Sequence, residues 1–589
     1  MSMNQEIASR LHLMAALLEL TGADSFRASA HARAARAIDD LTVDLGEIAG
    51  DRKRLLAIEG IGPKIADKIA EFAATGRVRE VDELAAQVPA GLLEVMRVPG
   101  MGPKTVRAVW QTLGVTDLAS LRRAIEDGSI LTVPRMGKKA AENIKAALAF
   151  IEESGSRARL GEAQPLAETI VARMRALPGV KRAEFAGSMR RGRDTVGDVD
   201  VVVAASKAAG AAAGESFRAM QEVRQVLAAG ETKSSVRASM GGGRAIQVDL
   251  RVVQPASFGA ALLYFTGSKE HNVRLRQRAL SMGMTLNEYG LFPEDGEKAP
   301  PQERGVRAVA AETEEGIYRA LGLPMIPPEL REDHGETSLP VDHDFGLIEI
   351  GQIRAELHAH TTASDGSMSI EELAAEAKAR GFHTIAVTDH SKSQPLANGL
   401  TVERLAAHVE AIRAAARRVE GIAILAGSEV DILPDGSLDY DDQTLHGLDI
   451  VVASPHAALK QEPGAATERL VRAASHPLVH IIGHPTGRLI NAREGLSPDI
   501  GAVARAAAAS GTALEINANS HRLDLRAEHV RMALEAGASI AIDCDVHTRA
   551  DFEQLRFGVA TARRGGLTAE RCVNAWPAER LRAWLASKR

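Results

Sequence analysis

The sequence has little cysteine, no long apolar run and no excess of positive charge. Its 589 residues include only two cysteines, Cys544 and Cys572, too few for a disulfide framework and typical of a reducing cytosol. No stretch approaches the roughly 18 apolar residues that a membrane-spanning helix needs. The first 20 residues predict an amphipathic helix rather than a signal peptide. We therefore expect a soluble, cytoplasmic protein.

The net charge of −6 gives no sign of a nucleic-acid partner until it is divided along the chain. Residues 1–330 carry 44 Lys and Arg against 41 Asp and Glu, whereas residues 331–589 carry 27 against 36. Fifteen of the eighteen histidines lie after residue 330. Because histidine is the commonest metal ligand among side chains, the C-terminal part is where metal chemistry is expected. At roughly 100–200 residues per domain, the length predicts about three to five domains.

Three short glycine motifs recur in the first 140 residues, IEGIGPK at 58–64, VPGMGPK at 98–104 and VPRMGKK at 133–139. Each precedes a helix-like stretch, so its backbone N–H groups and the helix N-terminus can face a phosphate. One copy alone is more often only a turn, but three copies favour the helix-hairpin-helix, which clamps DNA without reading its sequence. Arg135 replaces the first glycine of the third copy, which we therefore discount as a DNA contact. The candidate DNA contacts are Gly60, Gly62, Lys64, Gly100, Gly102 and Lys104.

After residue 155, strand-like runs separated by helical stretches predict an α+β domain with a mixed or antiparallel sheet. Asp198 and Asp200 stand two residues apart on one run, so both carboxylates project from one face, and Asp249 could join them from a neighbouring strand. Close carboxylates repel one another unless cations lie between them, and oxygen ligands suit Mg²⁺ or Mn²⁺. Two such ions form a clamp for phosphoryl transfer. Taken alone, the two-residue motif is equally well explained as a solvated strand edge.

From residue 353, seven strand-like runs alternate with alanine-rich helical runs, which predicts a parallel barrel of the triosephosphate-isomerase type. Such barrels carry their chemistry at the C-terminal ends of the strands, where nine candidate ligands occur. They are His358, His360, Asp365, His390, Glu429, His456, His484, Asp545 and His547. Nine ligands exceed what one ion can use, so we expect two or three ions, and mixed ligation favours Zn²⁺, Mn²⁺ or Fe.

Metal-activated attack of water on phosphorus is the reaction that such a cluster favours. Arg488, in the run GHPTGR at 483–488, is the candidate phosphate contact. Seven other histidines of the C-terminal part, His408 among them, fit no pattern and receive no role.

Three segments closely resemble the palm and thumb of family X DNA polymerases. They are GSMRRGRDTVGDVDVVV at 187–203, IQVDLRVV at 246–253 and YFTGSKEHN at 264–272. The resemblance covers residues 1–335. It implies that Asp198 and Asp200 hold both catalytic metals, and that Asp249 completes the site at the primer 3′-hydroxyl. The nucleotide-binding positions that it implies are Ser188, Arg191 and Gly197 for the triphosphate, Tyr264, Phe265 and Gly267 for the sugar, and Asn272 for the base edge.

The same resemblance implies a second activity in the first helix-hairpin-helix region. Lys64 matches a phosphate ligand, and Lys68 matches the Schiff-base nucleophile that removes 5′-deoxyribose phosphate. Such a lysine needs a depressed pKa, which neighbouring cations or burial can supply. His31 lies where polymerase beta has a tyrosine, a departure that puts efficient lyase chemistry in doubt. An ordinary DNA-contacting lysine is an equally good interpretation of Lys68.

The C-terminal part resembles the polymerase and histidinol phosphatase (PHP) domain, and all nine family ligand positions are filled. Residues 515–519 and 522–524 resemble the form that is fused to bacterial family X polymerases. The fold is thus expected to combine helical domains, a nucleotidyltransferase palm with its thumb, and a distorted (βα)₇ TIM-like barrel. The predicted domains are a lyase-like domain at 1–85, fingers at 86–154, palm at 155–255, thumb at 256–335, linker at 336–352 and PHP barrel at 353–589.

The resemblance implies a gap-filling DNA polymerase for repair whose barrel trims 3′ ends as a 3′–5′ exonuclease. Removal of 3′-phosphates and cutting at abasic sites are further activities that it allows. Gapped or primer-template DNA and deoxynucleoside triphosphates are the expected partners of an expected monomer. Two alternatives are a phosphoesterase whose polymerase part only holds DNA, and a non-catalytic scaffold at DNA ends. The filled positions Asp198, Asp200 and Asp249 count against the first of these alternatives, because an adaptor that only holds DNA does not need clustered carboxylates.

Overall fold

The computed structural model describes residues 3–588 except 23–24, 40–44, 57, 59, 97, 99, 135, 143, 146–147, 149–156, 242–243 and 298. The chain divides into two compact units, Met1–Gly155 and Ser156–Arg589. Within the described ranges, no helix is both long enough and apolar enough to cross a membrane.

The first unit is helical throughout its described part. Its helices are Met3–Thr21, Ser25–Asp39, Leu45–Ile48, Arg52–Leu56, Pro63–Thr75, Arg79–Ala85, Leu92–Val95, Pro103–Leu113 and Leu118–Glu126, followed by a 3₁₀ turn at Ser129–Thr132. Apolar residues of these helices, such as Leu11, Ile65 and Val106, form one buried core. Arg135 of the third glycine motif lies outside the described residues.

The second unit begins with a five-stranded mixed sheet. Its strands are β2 (Val180–Phe185), β4 (Asp198–Ala205), β5 (Val223–Ala229), β6 (Lys233–Gly241) and β7 (Arg244–Val253), in the order β2-β4-β7-β6-β5. The pair β4–β7 is parallel and the other pairs are antiparallel. A second, two-stranded sheet pairs β1 (Ala158–Arg159) with β3 (Thr195–Val196). The mixed sheet matches the sequence prediction.

Side-chain alternation on β4 gives the sheet two different faces. Val201 and Val203 pack into the core formed with helices Leu160–Arg175 and Lys207–Arg218, whereas Val202 and Ala204 pack with residues of helix Phe258–Thr266. Since side chains alternate along a strand, even-numbered β4 residues face the second side. Helix Gly187–Arg190, in the turn between β2 and β3, also packs against β4.

The thumb-like region contains helices Phe258–Thr266, Lys269–Ser281 and Glu314–Ala320 and a hairpin of β8 (Met284–Asn287) and β9 (Gly290–Pro293). The sequence did not predict this hairpin. Its strands have four residues each, too short for a clear period-2 pattern. The Asn287 side chain accepts hydrogen bonds from the backbone of Tyr289 and Gly290, which closes the turn.

The segment predicted as a linker is packed on both sides. Glu336 is buried and contacts His271 of the thumb-like region at 2.7 Å. Ile348 is fully buried in the core of the C-terminal region. The connection therefore has a defined path along the protein, and the smaller domain boundaries stay predictions.

The C-terminal region is the predicted barrel of seven parallel strands. They are β10 (Ala355–Glu356), β11 (Thr384–Val387), β12 (Ala423–Asp431), β13 (Ile450–Ser454), β14 (Ile481–Ile482), β15 (Ala513–Asn517) and β16 (Ser539–Asp543), paired in chain order. Bridging of Ala359 to Val546 brings the first strand region next to the last, so the barrel is nearly closed. Its helices are Ile370–Ala379, Val402–Arg418, Asp442–Leu445, Pro463–Ala474, Ile500–Ser510, Ala527–Glu535, Leu555–Arg564 and Ala578–Ala586.

Polar contacts join the barrel to the palm and thumb regions within the second unit. Asn491 donates to the carbonyl of Arg157 at 2.9 Å, and Arg563 contacts Glu329 at 2.6 Å. Gly161 packs so closely against Ser520 that an added Cβ would lie 2.4 Å from its Oγ. The barrel is thus fitted to the sheet by shape as well as by charge.

Candidate active sites

The three palm carboxylates share one face of the sheet. Asp198 and Asp200 lie on β4, on the side of Val202 and Ala204. Asp249 is the register partner of Asp200 on the parallel neighbour β7. The parallel pairing of β4 with β7 therefore places the third carboxylate beside the second, as the sequence led us to expect.

Burial and repulsion act together on Asp200. Burial raises its pKa most, and the charges of Asp198 and Asp249 raise it further, to about 7. Lys233 lies 2.8 Å from Asp249 and, with Gln247 at 3.0 Å, keeps the pKa of that carboxyl low despite burial. A carboxyl with a raised pKa among other carboxylates is a group that a divalent cation would stabilise in its charged form. The sequence analysis missed Lys233, since nothing in the chain marks which residue of β6 faces β7.

Asp198 and Asp200 border an open cleft of about 650 Å³. Six of the predicted nucleotide-binding residues line the cleft with Asp198 and Asp200. They are Ser188, Arg191, Tyr264, Phe265, Gly267 and Asn272. The seventh, Gly197, lies beside the cleft residue Arg157, whose Nη1 would be 3.2 Å from an added Cβ. A cleft with cationic and carboxylate walls suits a nucleoside triphosphate and the cations that accompany it.

The two adjacent arginines of the turn have different partners. Arg190 donates to both carboxylate oxygens of Glu314, at 2.8 and 2.6 Å, so its guanidinium is committed to a structural ion pair. Arg191 uses Nε for Glu332 and Nη1 for the carbonyl of Thr266. Among the described residues no acceptor is bound to its Nη2. Arg191 is thus the arginine of this pair that can serve a ligand in the cleft.

The turn after helix Phe258–Thr266 contacts Arg191 and lines the same cleft. Gly267 ends this helix with φ +67°, a conformation that glycine adopts without strain. The Asn272 side chain donates to the carbonyl of Tyr264 at 2.7 Å, and the rings of Tyr264 and Phe265 meet edge to face. These contacts fix the side chains that the resemblance assigns to the sugar and the base edge.

The first two glycine motifs have the helix-hairpin-helix geometry. Gly62 and Gly102 are the N-caps of helices Pro63–Thr75 and Pro103–Leu113, each with proline at the start of the helix. Gly60 and Gly100 have φ +85° and +91°, so the tight turn before each helix favours glycine. The following lysines, Lys64 and Lys104, are exposed beside these helix N-termini. In the described part of both motifs, a helix N-terminus and an exposed lysine therefore lie side by side, as a phosphate contact requires.

The contacts of Lys68 do not favour lyase chemistry. Its amine lies 2.7 Å from Glu80, and hydrogen bonding to Lys68 lowers the pKa of this carboxyl although burial opposes the shift. The amine of Lys68 is thus engaged in an ion pair, whereas a Schiff-base nucleophile needs an amine that is free to attack the sugar. His31 is buried nearby, with its Nδ1 2.7 Å from the carbonyl of Arg27. The lyase role of Lys68 stays a prediction.

The structure brings all nine predicted barrel ligands to one place. Their potential ligand atoms form three overlapping groups, each within 4.8 Å, and His484 joins them through Glu429 at 2.9 Å. The three groups are His360, Asp365, His390 and His547; His358, His360 and Asp545; and His390, Glu429 and His456. Three overlapping groups fit the expected two or three ions.

The potential ligand atoms of the barrel cluster include buried atoms without a hydrogen-bond partner among the described residues, as expected of a metal site. His358 Nε2, His360 Nε2 and Asp545 Oδ1 are buried and make no hydrogen bond to the described part of the protein. Unpaired buried polar atoms are costly, and a cation between them would remove that cost. Nitrogen and carboxylate donors together suit Zn²⁺, Mn²⁺ or Fe.

The ionisation of the cluster is uneven. Burial alone would lower the pKa of His456, but Glu429 and Asp431 raise it to about 9. Burial lowers the pKa of His360, to about 4, and the neighbouring His547 and His390 lower it further. Without cations, protons on some of the histidines offset the buried carboxylates. Metal binding therefore displaces protons from this site.

Carboxylates behind the ligands orient the histidine rings. Glu515 lies 2.6 Å from Nδ1 of His358, and Asp431 lies 2.6 Å from Nδ1 of His456. Such contacts leave Nε2 of each ring free to face the cluster and increase its basicity. Only the segment containing Glu515 was noticed in the sequence, on the basis of the resemblance.

His408, which the sequence analysis left without a role, also belongs to this support. Its Nε2 lies 2.8 Å from Asp389, a buried residue that accepts hydrogen bonds from Thr361 and Ser364. These contacts fix the loop that carries Asp365. Asp389 directly precedes His390, and this proximity in the chain was the signal that could have identified it.

Arg488 has other partners than the predicted phosphate. It is 7% exposed, and its Nη2 donates to Asp194 of the palm at 2.7 Å and to the carbonyl of Leu523. The guanidinium therefore binds the barrel to the palm. These contacts argue against the predicted phosphate role, which sequence position alone had suggested.

Taken together, the fold and the two clusters define a nucleotidyltransferase palm joined to a metal-binding barrel. Four family models match the chain: helix-hairpin-helix domain at residues 2–78, SAM-like helix-hairpin-helix tandem at 92–149, DNA polymerase beta thumb at 261–332 and PHP domain at 356–519. The matches follow the same order along the chain as the regions of the structure.

Whole-chain comparison identifies the family. The chain is 36% identical over 583 residues to the DNA polymerase/3′-5′ exonuclease PolX of Bacillus subtilis (strain 168), covering 99% of both proteins. It is 26% identical over 347 residues to DNA polymerase lambda of Rattus norvegicus, covering 56% of each. A probable phosphatase of Syntrophotalea carbinolica matches 37% of this chain over 90% of its own length, at 31% identity. The chain belongs to the bacterial family X DNA polymerases that carry a C-terminal PHP domain.

Proposed function

We propose that the palm of this chain extends a DNA primer across short gaps, and that the barrel removes nucleotides from 3′ ends. The observation that carries the polymerase proposal is the shared face of Asp198, Asp200 and Asp249 beside a cleft that contains Arg191 and Asn272. The Bacillus subtilis relative, named a DNA polymerase and 3′-5′ exonuclease, matches the chain from end to end and supports both activities.

Within the palm, Asp198 and Asp200 would hold two divalent cations, Mg²⁺ or Mn²⁺, and Asp249 would complete the position at the primer end. Such cations supply positive charge that activates the primer hydroxyl and offsets the leaving pyrophosphate. Arg191 and Ser188 bind the triphosphate oxygens. The turn of Tyr264, Phe265 and Gly267 places the sugar, and Asn272 meets the base edge.

The polymerase proposal is tested with a labelled primer in a gapped duplex, with Mg²⁺ and deoxynucleoside triphosphates. The wild type should extend the primer, and Asp198→Asn should lower the rate by about 10³-fold or more, because a ligand that both cations share loses its charge. Asp295→Asn is the matched control, since Asp295 pairs with Arg304 outside the cleft. A wild type that never extends the primer contradicts the proposal.

In the barrel, the nine clustered residues would hold two or three Zn²⁺, Mn²⁺ or Fe ions. When bound, such ions would polarise the phosphate of the substrate and activate a water molecule for hydrolysis. The chain itself orients the ligands through Glu515 and Asp431 and excludes bulk water, since His358, His360 and Glu429 are almost fully buried. This set fits hydrolysis of a 3′ phosphodiester, and a 3′-phosphate is a chemically related substrate.

The barrel proposal is tested with a 3′-labelled duplex in Mn²⁺ without nucleotides. His360→Ala should abolish 3′ trimming because His360 belongs to two of the ligand groups. The same variant should extend a gapped primer at the wild-type rate. Trimming that survives in this variant would place the hydrolytic site elsewhere.

The adaptor and scaffold alternatives have less support. Neither needs a sheet face with three carboxylates beside a cleft that contains a free arginine donor, nor a cluster of buried unpaired ligand atoms. The two assays separate these alternatives directly, since an adaptor trims but does not extend and a scaffold does neither. Gapped or primer-template DNA and deoxynucleoside triphosphates are therefore the proposed substrates, and the cytoplasm is the proposed location. A monomer is the proposed state in solution.

A further inference from the structure

Two carboxylates of the polymerase cleft, those of Glu270 and Glu332, are not used in the proposed reaction, and Glu332 contacts Arg191. Glu332 lines the same cleft as Asp198, Asp200 and Arg191. A negative charge beside a triphosphate site lowers the affinity for the triphosphate unless another charge offsets it. The following inference rests on the proposed polymerase function and concerns how this offset is supplied.

Glu332 is shared between the palm and the barrel. Its Oε1 accepts from Arg191 Nε at 3.0 Å and from Arg564 Nη1 at 3.0 Å, with Arg193 further away at 3.6 Å. Arg564 Nη1 also donates to the backbone carbonyl of Arg191, at 2.8 Å. One guanidinium from the barrel thus touches both the side chain that holds Arg191 and the backbone of Arg191 itself.

The barrel helix Leu555–Arg564 supports the turn that carries Arg191. Gly192 has φ +65°, and an added Cβ would lie 3.3 Å from the Cβ of Ala560, so the turn rests directly on this helix. Arg564 is 5% exposed and stands at the C-terminal end of the helix, where the helix dipole favours a cation. Its position is therefore fixed by packing as well as by charge.

We propose that Arg564 of the barrel is a positioning residue for the polymerase site, which offsets the charge of Glu332 and keeps Arg191 available to the triphosphate. Arg191 is then held at Nε by Glu332 and at Nη1 by Thr266, with Nη2 left for the ligand. When Arg564 is removed, Arg191 becomes the main cation that offsets the negative charge of Glu332. The net attraction of the cleft for a triphosphate decreases, and the backbone of Arg191 loses its support.

The ionisation of Glu332 agrees with this arrangement. Burial would raise the pKa of its carboxyl, but Arg191 and Arg564 lower it, so Glu332 carries its charge at neutral pH. The side chain of Glu332 is 14% exposed, so the arginines around it, rather than bulk water, offset most of its charge.

The test is the KM for a deoxynucleoside triphosphate in single-nucleotide gap filling by the full-length protein with Mg²⁺. Arg564→Gln should raise KM about tenfold and change kcat less than about threefold, since ground-state binding of the triphosphate is weakened. Arg564→Lys keeps the charge and should restore most of the affinity. Arg563→Gln is the matched control, because Arg563 contacts Glu329 and the carbonyl of Ile348 instead of the cleft. Its KM should stay within about twofold of the wild type.

A double-mutant cycle separates charge compensation from loss of structure. Glu332→Gln removes the charge that Arg564 offsets, so in this background Arg564→Gln should change KM less than about twofold. An equal tenfold rise in both backgrounds, or an unchanged KM in Arg564→Gln alone, overturns the inference. The 3′ trimming rate of each variant reports whether the barrel is intact. A wild type without extension overturns the proposed function and the inference together, whereas normal wild-type extension with an unaffected Arg564→Gln overturns only the inference.

Discussion

Each of the two sites contains buried carboxylates, but the side chains around these carboxylates differ between the palm and the barrel. Asp200 is brought close to two other acids, and burial and repulsion raise its pKa. Glu429, in contrast, is fully buried among histidines, whose charges hold the pKa of its carboxyl well below the usual range although burial opposes this. The palm therefore offers only oxygen ligands, whose mutual repulsion a cation would relieve. The barrel offers nitrogen and oxygen ligands together, and its histidines offset part of the carboxylate charge.

A prediction at this scale concerns Glu515, which contacts His358 Nδ1 at 2.6 Å. Glu515→Gln should lower the metal affinity of the barrel about 10- to 100-fold, because the ring loses the partner that orients it and increases its basicity. Metal content after dialysis against a weak chelator, measured by mass spectrometry, reports this change. Glu410→Gln is the control, since Glu410 is exposed on a helix surface. Equal metal content in the two variants would contradict the prediction.

Some residues of the two sites could be predicted from the sequence, and others could not. The Asp and His ligands were predictable because strand alternation and repeated strand ends mark them. Lys233, Glu332 and Arg564 were not, because they act through partners on other elements, up to 232 residues away for Glu332 and Arg564. Arg488 lay at a plausible position in the chain, but its direction depends on contact with the palm.

Among the elements, the short turn of Gly187–Arg190 lines the cleft and also contacts Asp200, a candidate metal ligand. Gly187 has φ +63°, and an added Cβ would lie 2.7 Å from Oδ2 of Asp200. The turn and the metal ligand are therefore in direct contact, and any side chain here must displace one of them. Glycine is required for its conformation and for this close approach.

We predict that Gly187→Ala lowers primer extension at least about tenfold, because Asp200 must move to relieve the clash and a displacement of this size disturbs catalysis. Primer extension and 3′ trimming are measured on the same preparation, and trimming should be unchanged. Gly283→Ala is the matched control, since Gly283 has φ +69° but open space around its Cβ position. Equal loss of extension in both variants would show that backbone strain, rather than the contact with Asp200, is responsible.

The elements differ in how well the sequence predicted them. The seven barrel strands and the palm strands β2, β4 and β7 were predictable as strand-like runs separated by helix-like spacers, whereas β5 and β6 were not identified in the sequence. The hairpin Met284–Pro293 was missed because its strands are too short for periodicity. The predicted linker proved to be packed, since Glu336 and Ile348 bind to neighbours that are distant in the chain.

The second unit as a whole depends on a buried charge network between palm and thumb. Glu314 is 6% exposed and contacts Arg190 and the fully buried Arg331. Burial would raise the pKa of Glu314, but Arg331 and Arg190 lower it to about 2. A lowered carboxyl pKa contributes stability that is fully present above the unfolded value of about 4.5 and is lost as pH falls towards about 2.

Glu314→Gln should therefore destabilise this unit by about 3–5 kcal/mol at neutral pH, because Arg331 remains buried without its partner. Calorimetric melting of the full chain measures the effect, and the melting temperature should drop by several degrees. The difference from the wild type should shrink as pH is lowered below about 4.5, since protonation removes the same charge from the wild type. A difference that does not depend on pH would indicate that packing, rather than charge, is involved.

In the whole molecule, the net charge of −6 is the sum over two regions of different charge, residues 1–330 and residues 331–589. The first 330 residues are near neutral and present lysines at helix N-termini, whereas the acidic balance of the barrel includes Asp365, Glu429 and Asp545. Above all, we propose that one chain contains two separate cation-binding centres, one in the palm and one in the barrel.

Anomalous diffraction at the manganese edge tests this claim most directly. Crystals of the full chain with gapped DNA, a non-hydrolysable nucleotide and Mn²⁺ should show two peaks between Asp198, Asp200 and Asp249. They should also show two or three peaks among the nine barrel residues. Peaks in only one of the two places, with nucleotide bound in the cleft, would contradict the account.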